Sequence, residues 1–491
     1  MSRLAPLRPY LPGVTRVVVG AGAAAALAWG ASTVPVSFDL AAATGAAEAA
    51  AAPTSLTTSV AAMCPGNELS GIRGVDDVTV GGLVAAATGP AELLPVPATG
   101  DGSAVLSAGS APIAELGATR PGSDSARMPR SGPVELTAQG ALAPAVAGTQ
   151  EWVSTTKDLR GLVTTPCRSA GSDLWLLGGG DGAGRQERLV LVNPGGNPVT
   201  ADVTIHGATG QVGDSRAVTV APGGRATILL DAVAGTEPAP AVHVVADGGG
   251  LHATLTDTWL DGSTPLGAET VVPTAEPSTV QVIPAVVVAG ETTLRVVAPG
   301  EEEAVASVTL LDRSGTVATT EDTVLSVGAD AVGELALPEV PDGTYSAVVR
   351  SDVPVAAAVL SRVGAAEGPG DIGWSGSSTL IEEVGGMALP DTAGVARTLR
   401  LVSTGGASTA RVTLVVDGDE RGRVVDLLAE RSTDIDLEGA SAVWVQRTTG
   451  AGALRGGVVS TSGTGAKVLV SVVPLEPVAV TSPVSRAFPL P

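Results

Sequence analysis

Apolar and polar positions alternate in short runs along most of this chain, and the runs return at a fixed interval. In the clearest stretch, residues 188–193, 202–206, 217–220, 226–231, 242–246 and 251–258 each have strand length. Val203 and Ile205 alternate with Asp202, Thr204 and His206, the two-residue period of a half-buried strand. Between the runs lie Asn193-Pro-Gly-Gly-Asn197, Gly207-Ala-Thr-Gly210, Ala221-Pro-Gly-Gly224 and Asp247-Gly-Gly-Gly250, all turn chemistry. Leu189-Val-Leu-Val-Asn-Pro-Gly195 recurs as Leu294-Arg-Val-Val-Ala-Pro-Gly300 and Leu399-Arg-Leu-Val-Ser-Thr-Gly405, a period of roughly 105 residues. That is far above a solenoid or propeller-blade repeat and close to one small sandwich domain.

The pattern predicts an all-β chain of tandem immunoglobulin-like β-sandwiches at 185–285, 286–390 and 391–475. A β-propeller with two blades per unit is the alternative. Val242-His-Val-Val-Ala-Asp247 falls on Ala347-Val-Val-Arg-Ser-Asp352, which places Pro354 in a hairpin and one neighbouring strand at a sheet edge. The third repeat offers Val443-Trp-Val445, then 454–460 and 467–473. Ahead of the repeats, 55–184 reads as an irregular β region with candidate strands at 77–80, 134–137 and 152–156. Residues 476–491 read as a loose tail.

The amino terminus departs from this pattern. Arg3, Arg8 and Arg16 form a basic stub, 1–16, before an apolar stretch, 17–36, with no acidic residue ahead of Asp39. About 20 apolar residues can span a bilayer, and flanking positive charge keeps that end inside. The expectation is an uncleaved signal anchor at 17–36, an Ala-rich linker at 37–54, and an extracytoplasmic bulk. Ala49-Ala-Ala-Ala-Pro53 would suit cleavage but lies far from the apolar run. Localisation is therefore expected at the cell membrane, single-pass.

Composition narrows the partners. The formal net charge of −22 disfavours nucleic acid. Aromatics are 2% of residues, so the cores must be built from Ala, Val and Leu. Lys occurs only at 157 and 467, and this bias with abundant Ala, Gly, Val and Pro matches a high-GC bacterial genome. Cys64 and Cys167, both beyond the apolar segment, are expected to form one disulfide.

Cys64-Pro-Gly66, Arg160-Gly-Leu162, Pro166-Cys167, Asp173-Leu-Trp-Leu-Leu-Gly-Gly-Gly180, Leu189–Pro194, Ala221-Pro-Gly-Gly224 and Ala241-Val-His-Val244 together resemble an uncharacterised family of exported, membrane-anchored actinobacterial proteins. The family is known only as a domain of unknown function. The resemblance spans roughly 55–475 and implies an envelope address. It lends no catalytic residues.

Candidate chemistry is sparse. His206, His243 and His252 are placed by alternation on the polar side of their strands, with His243 and His252 on adjacent hairpin arms and no third metal ligand in view. No G-x-S-x-G or phosphate-loop motif occurs. Acidic clusters at Asp76-Asp77, Glu301-Glu-Glu303, Glu382-Glu383 and Asp417-Gly-Asp-Glu420 read as turns, with calcium or a carboxylate pair as the rival reading. Trp175, Trp259 and Trp374 are the candidates for ligand stacking. No catalytic residue, metal site or cofactor is expected. The functional expectation is a non-catalytic, membrane-anchored envelope scaffold or adaptor, with unidentified envelope proteins or wall polymers as partners. A cell-wall carbohydrate-binding protein is the alternative, and an acid-pair glycan hydrolase the weaker one.

Overall fold

The computed structural model describes residues 55–71, 77–317, 323–365 and 368–482. The basic stub, apolar segment and linker at 1–54, Asp76, and the tail beyond 482 lie outside the described residues. No helix among the described residues is long and apolar enough to cross a membrane.

The described chain is all-β and its sheets are antiparallel. Eight strand positions in one order occur four times, with two short strands sharing the fourth position of module II and one long strand filling the sixth and seventh of module III. In module I the first strand, Ser59–Cys64, pairs with the sixth, the sixth with the third, and the third with the fourth. A second sheet runs fifth, second, seventh, eighth. Modules II, III and IV begin at Asp173, Ser278 and Val384 and repeat both orders. The third–sixth and second–fifth pairings are those of an immunoglobulin domain. The first strand beside the sixth and the seventh beside the second are not. Only the third–fourth and seventh–eighth neighbours are consecutive in sequence, whereas the first–sixth, sixth–third, fifth–second and second–seventh pairs cross over, unlike the four consecutive strands of a propeller blade.

Four expectations change. Residues 55–184 read as irregular, yet module I has the same eight-strand order and its own core of Val84, Leu106, Leu136 and Trp152. The repeats, read from Leu189, Leu294 and Leu399, start one strand late because those leucines lie in second strands. Pro354, expected in a hairpin, lies inside one continuous strand, Gly343–Gly364. That strand leaves the first sheet after Val355 and enters the second at Ala356. Proline is tolerated at the crossing because the ladder changes partners there. Ala241–Asp247 and His252–Asp261 of module II likewise belong to different sheets, so His243 and His252 do not share a hairpin.

The modules close on themselves. Met63, Val190 and Val192 pack module I on II. The cluster containing Trp175 and Leu189 extends to Val297, Ala358 and Trp374 of module III. Ala285, Val363, Val459 and Val472 join III to IV. Ala85, Ala87, Val384 and Trp444 join IV back to I. Ser55 and Leu56 pair with Ser482 and Thr481, so the two ends of the described chain meet.

At the centre the eighth strands of all four modules, Arg160–Cys167, Thr264–Val271, Gly370–Gly376 and Leu469–Pro474, lie against one another in cyclic order. Asp371 ties them together. Its Oδ1 accepts the amides of Ala268 (3.2 Å) and Ile372 (3.0 Å), and its Oδ2 those of Leu162 (3.3 Å) and Val470 (2.9 Å). Every module thus donates one amide to a single carboxyl. Cys64 and Cys167 form a disulfide joining the first and eighth strands of module I.

Candidate functional site

Several ionisable groups that the sequence did not single out are buried between sheets and modules. Arg185 makes a two-point contact with Asp257 (2.9 and 2.6 Å), and Asp257 also accepts the Trp374 indole N–H from module III at 2.8 Å. Arg295 of module III donates to the carbonyls of Pro240 (2.8 Å) and Gly179 (3.0 Å) in module II and to Glu334 (2.9 and 2.8 Å). Burial, with Asp231 and Asp257 nearby, pushes the Glu187 carboxyl up to about 9. Glu68, buried beneath Trp152, is pushed up to about 7 by the same loss of water. Burial also raises Asp371, against the pull of its amide donors. A charge that leaves water must be paired or neutralised. Here that pairing holds strands and modules together.

His206 and His243 lie near one another, 6.3 Å between ring centroids, whereas His252 sits in the other sheet. His206 and His252, expected on polar strand faces, are 5% and 2% exposed. The hydroxyl-bearing and imidazole side chains alternate into a second apolar layer, because modules cover the outer sheet faces. His206 meets Asp330 of module III at 3.0 Å, and His243 stacks on Trp175 (4.1 Å between centroids) while contacting Asp173 at 2.9 Å. Burial holds His252 down at about 3 and lowers His206 as well. Among the described residues no group of three or more His, Cys, Asp or Glu could hold a metal ion. The Asp417-Gly418 acidic turn is a two-residue hairpin between Val416 and Asp419, with positive φ at both residues.

Of the three tryptophans that are candidates for ligand stacking, Trp175 and Trp374 are 5% and 3% exposed, so their rings belong to the core. Trp259 is half-buried and borders a cleft of about 860 Å³ between modules I and II, within the usual size of a ligand site. The guanidinium groups of Arg185 and Arg362 lie over its ring at 4.9 and 4.8 Å, and its indole N–H donates to the Ala183 carbonyl. The opposite wall comes from the turn joining the seventh and eighth strands of module I. Thr79, Ser154, Thr155, Thr156, Thr258 and Gln186 give the cleft a neutral polar lining, and Asp158 is its one carboxylate among the described residues.

Arg188 also lines this cleft, and sequence reasoning missed it. It sits in the second strand of module II, Arg185–Val192. There Arg185, Glu187 and Leu189 face one side, while Gln186, Arg188 and Val190 face module I. The available signal was this alternation of charge within a strand that reads as buried. Arg188 donates to Gln186 Oε1 (2.9 Å) and Thr258 Oγ1 (3.4 Å), and burial lowers its pKa.

A family model described as a family of unknown function (DUF5719) matches residues 117–446. No curated protein matches the chain. The crystal structure of Thermotoga maritima 1070 is similar over 21% of this chain and 94% of its own, at 11% identity and a TM-score of 0.20.

Proposed function

We propose that this chain, which belongs to the DUF5719 family of unknown function, is a non-catalytic binding scaffold of the bacterial cell envelope. The apolar segment 17–36 would anchor it in the membrane, with the β modules outside. One observation carries this reading: most buried carboxylates and arginines are engaged in contacts between strands and modules, while a cleft of about 860 Å³ is lined by hydroxyls, an amide, Trp259, Arg188 and the single carboxylate Asp158 among the described residues. Such a lining offers recognition without an obvious acid–base pair. An acid-pair hydrolase needs two carboxyl groups facing each other across roughly 5–9.5 Å, and Asp158 is the cleft's one carboxylate among the described residues.

The carbohydrate-binding reading gains support from Trp259 beside that hydroxyl-rich surface. Aromatic faces pack on pyranose rings, although a sugar would have to displace Arg362, the more exposed of the two guanidinium groups over the ring.

The test is to cross-link the full chain in envelope membranes, purify it, and identify what is attached. Co-purification of a wall polymer or a defined envelope protein is expected. Release of reducing ends from wall glycan by the purified protein, abolished by Asp158→Asn, would overturn the non-catalytic reading.

A further inference from the structure

The geometry points to the cleft between modules I and II as a site for an anionic, hydroxyl-rich ligand, a saccharide carrying a carboxylate or phosphate, with Arg188 as its counter-charge. This inference rests on reading the cleft as a binding site and adds the chemical class of what it holds. Three observations meet there.

The first is a buried cation that makes no contact ion pair. Arg188 is 4% exposed, yet among the described residues no carboxylate lies within ion-pair distance of it. The contrast with its neighbours is direct. Arg185 has Asp257, Arg295 has Glu334, Arg397 has Glu151 and Arg400 has Asp434. Arg188 has the neutral oxygens of Gln186 and Thr258 as its hydrogen-bond partners, while Asp231 acts on it from beyond ion-pair distance and is itself bound to the Glu187 carboxyl. A guanidinium has five N–H donors, so two neutral bonds leave capacity unspent. Burying such a group without a partner charge is costly, and an anion supplied from outside removes that cost.

The second observation is the cavity itself. Arg188 lines the largest of the described clefts, and a volume of about 860 Å³ leaves room for one or two sugar rings. The third is the lining. Ser154, Thr156 and Thr258 give their protons to the carbonyls of Leu159 and Gln186 and keep lone pairs to accept, and Thr79 and Thr155 add two more hydroxyls, which suits a ligand rich in O–H donors. The net charge of −22 repels anions at long range. At physiological salt that repulsion fades beyond about 8 Å, whereas a contact with Arg188 does not. The acidity would therefore slow arrival more than it weakens the bound state.

The experiment is isothermal titration of the purified chain, beginning at Ser55 and running to the carboxyl terminus, with its folding checked by circular dichroism. Glucose, glucuronate, glucose 6-phosphate and inorganic phosphate are the probes. At least about tenfold tighter binding of one or both anionic sugars than of glucose is expected, because a hydrogen bond to a charged group contributes roughly 1.5–3 kcal/mol. The two anionic sugars tell a carboxylate site from a phosphate site. Arg188→Gln should remove the preference, and Arg188→Lys should keep part of it. If the variants fail to fold, the wild-type panel still decides. Glucose bound as tightly as the anionic sugars overturns the role of Arg188 and leaves the cleft as a binding site. Inorganic phosphate bound as tightly as the anionic sugars overturns the saccharide assignment. No probe bound at millimolar concentration overturns the site and the reading beneath it.

Discussion

At the scale of single residues, the least replaceable side chain is Asp371. Its four partners are all N–H donors, which its two oxygens satisfy in full as acceptors once the carboxyl, pushed up by burial to about 8, has lost its proton, so its substitution is compared above that pH. Asp371→Asn exchanges one acceptor for an NH₂ group facing amide protons. A loss on the order of 3 kcal/mol is expected in urea unfolding, and a change below about 0.5 kcal/mol, the range of a surface substitution, would show that the four-way contact contributes little. The buried carboxyls also set a pH dependence. Glu68 and Glu187 lose their protons near 4.5 when unfolded, but near 7 and about 9 when folded, and burial raises Glu269 in the same direction. Between those values the folded chain holds more protons than the unfolded one, so stability falls as pH rises. The contribution is complete below pH 4.5 and is gone once pH has passed the folded values. His252 is neutral in both states above its ordinary 6.5 and does not disturb this window. The urea midpoint should therefore fall steadily from pH 6.5 to pH 9, with Glu187→Gln flattening the upper part. A midpoint that rises over that range contradicts the assignment.

At the scale of elements, the second strands of modules II to IV were legible because large apolar residues hold the core positions. Leu189 and Leu191, Leu294 and Val296, and Leu399 and Leu401 all face their own module's core. Module I was not legible for two physical reasons. Its second strand, Gly82–Thr88, is rich in alanine, and its core-facing residues are Val84 and Ala86. Leu83-Val-Ala-Ala-Ala-Thr-Gly89 does lie about 105 residues before Leu189, but one residue out of phase with the core. A side chain that fills a core in one module thus faces a neighbouring module in another. The exposure of the histidines failed for a related reason. Alternation within a strand gives two faces, and only the assembly of modules decides that both are covered. The eighth strands have a signature that is legible once their closeness is known. Gly267 has φ of +142°, and a Cβ there would come within 2.3 Å of the Ile372 amide nitrogen in module III. Gly267→Val should therefore separate two central strands and lower the melting temperature by several degrees. An unchanged melting temperature would mean that these strands are not closely packed in solution.

At the scale of the whole molecule, the two cysteines and the β class were readable from composition and spacing, while closure of the four modules was not. Closure depends on contacts such as Arg397 with Glu151 and Ser123 with Ser441, which join residues hundreds of positions apart and leave no local pattern. The candidate cleft was half legible. Trp259 stood out as a scarce aromatic, whereas Arg188 gained meaning only from the absence of a carboxylate beside it among the described residues. The family match, 117–446, takes in modules II and III but cuts through I and IV, so it does not mark the limits of the folded unit. Four independent modules on a string would also change how the disulfide acts. In that case Cys167→Ser would loosen module I alone. In a closed arrangement, module I braces II and IV, and removing a cross-link with a sequence separation of 103 weakens the entire unit, by up to about 4.7 kcal/mol in the chain-entropy picture.

Differential scanning calorimetry of the chain from Ser55 onward, oxidised and with Cys167→Ser, tests closure most directly. The account predicts one cooperative transition in each protein, with calorimetric and van't Hoff enthalpies in agreement, and a downward shift of that whole transition in the variant. Two or more separated transitions, with only one of them moved by Cys167→Ser, would contradict it.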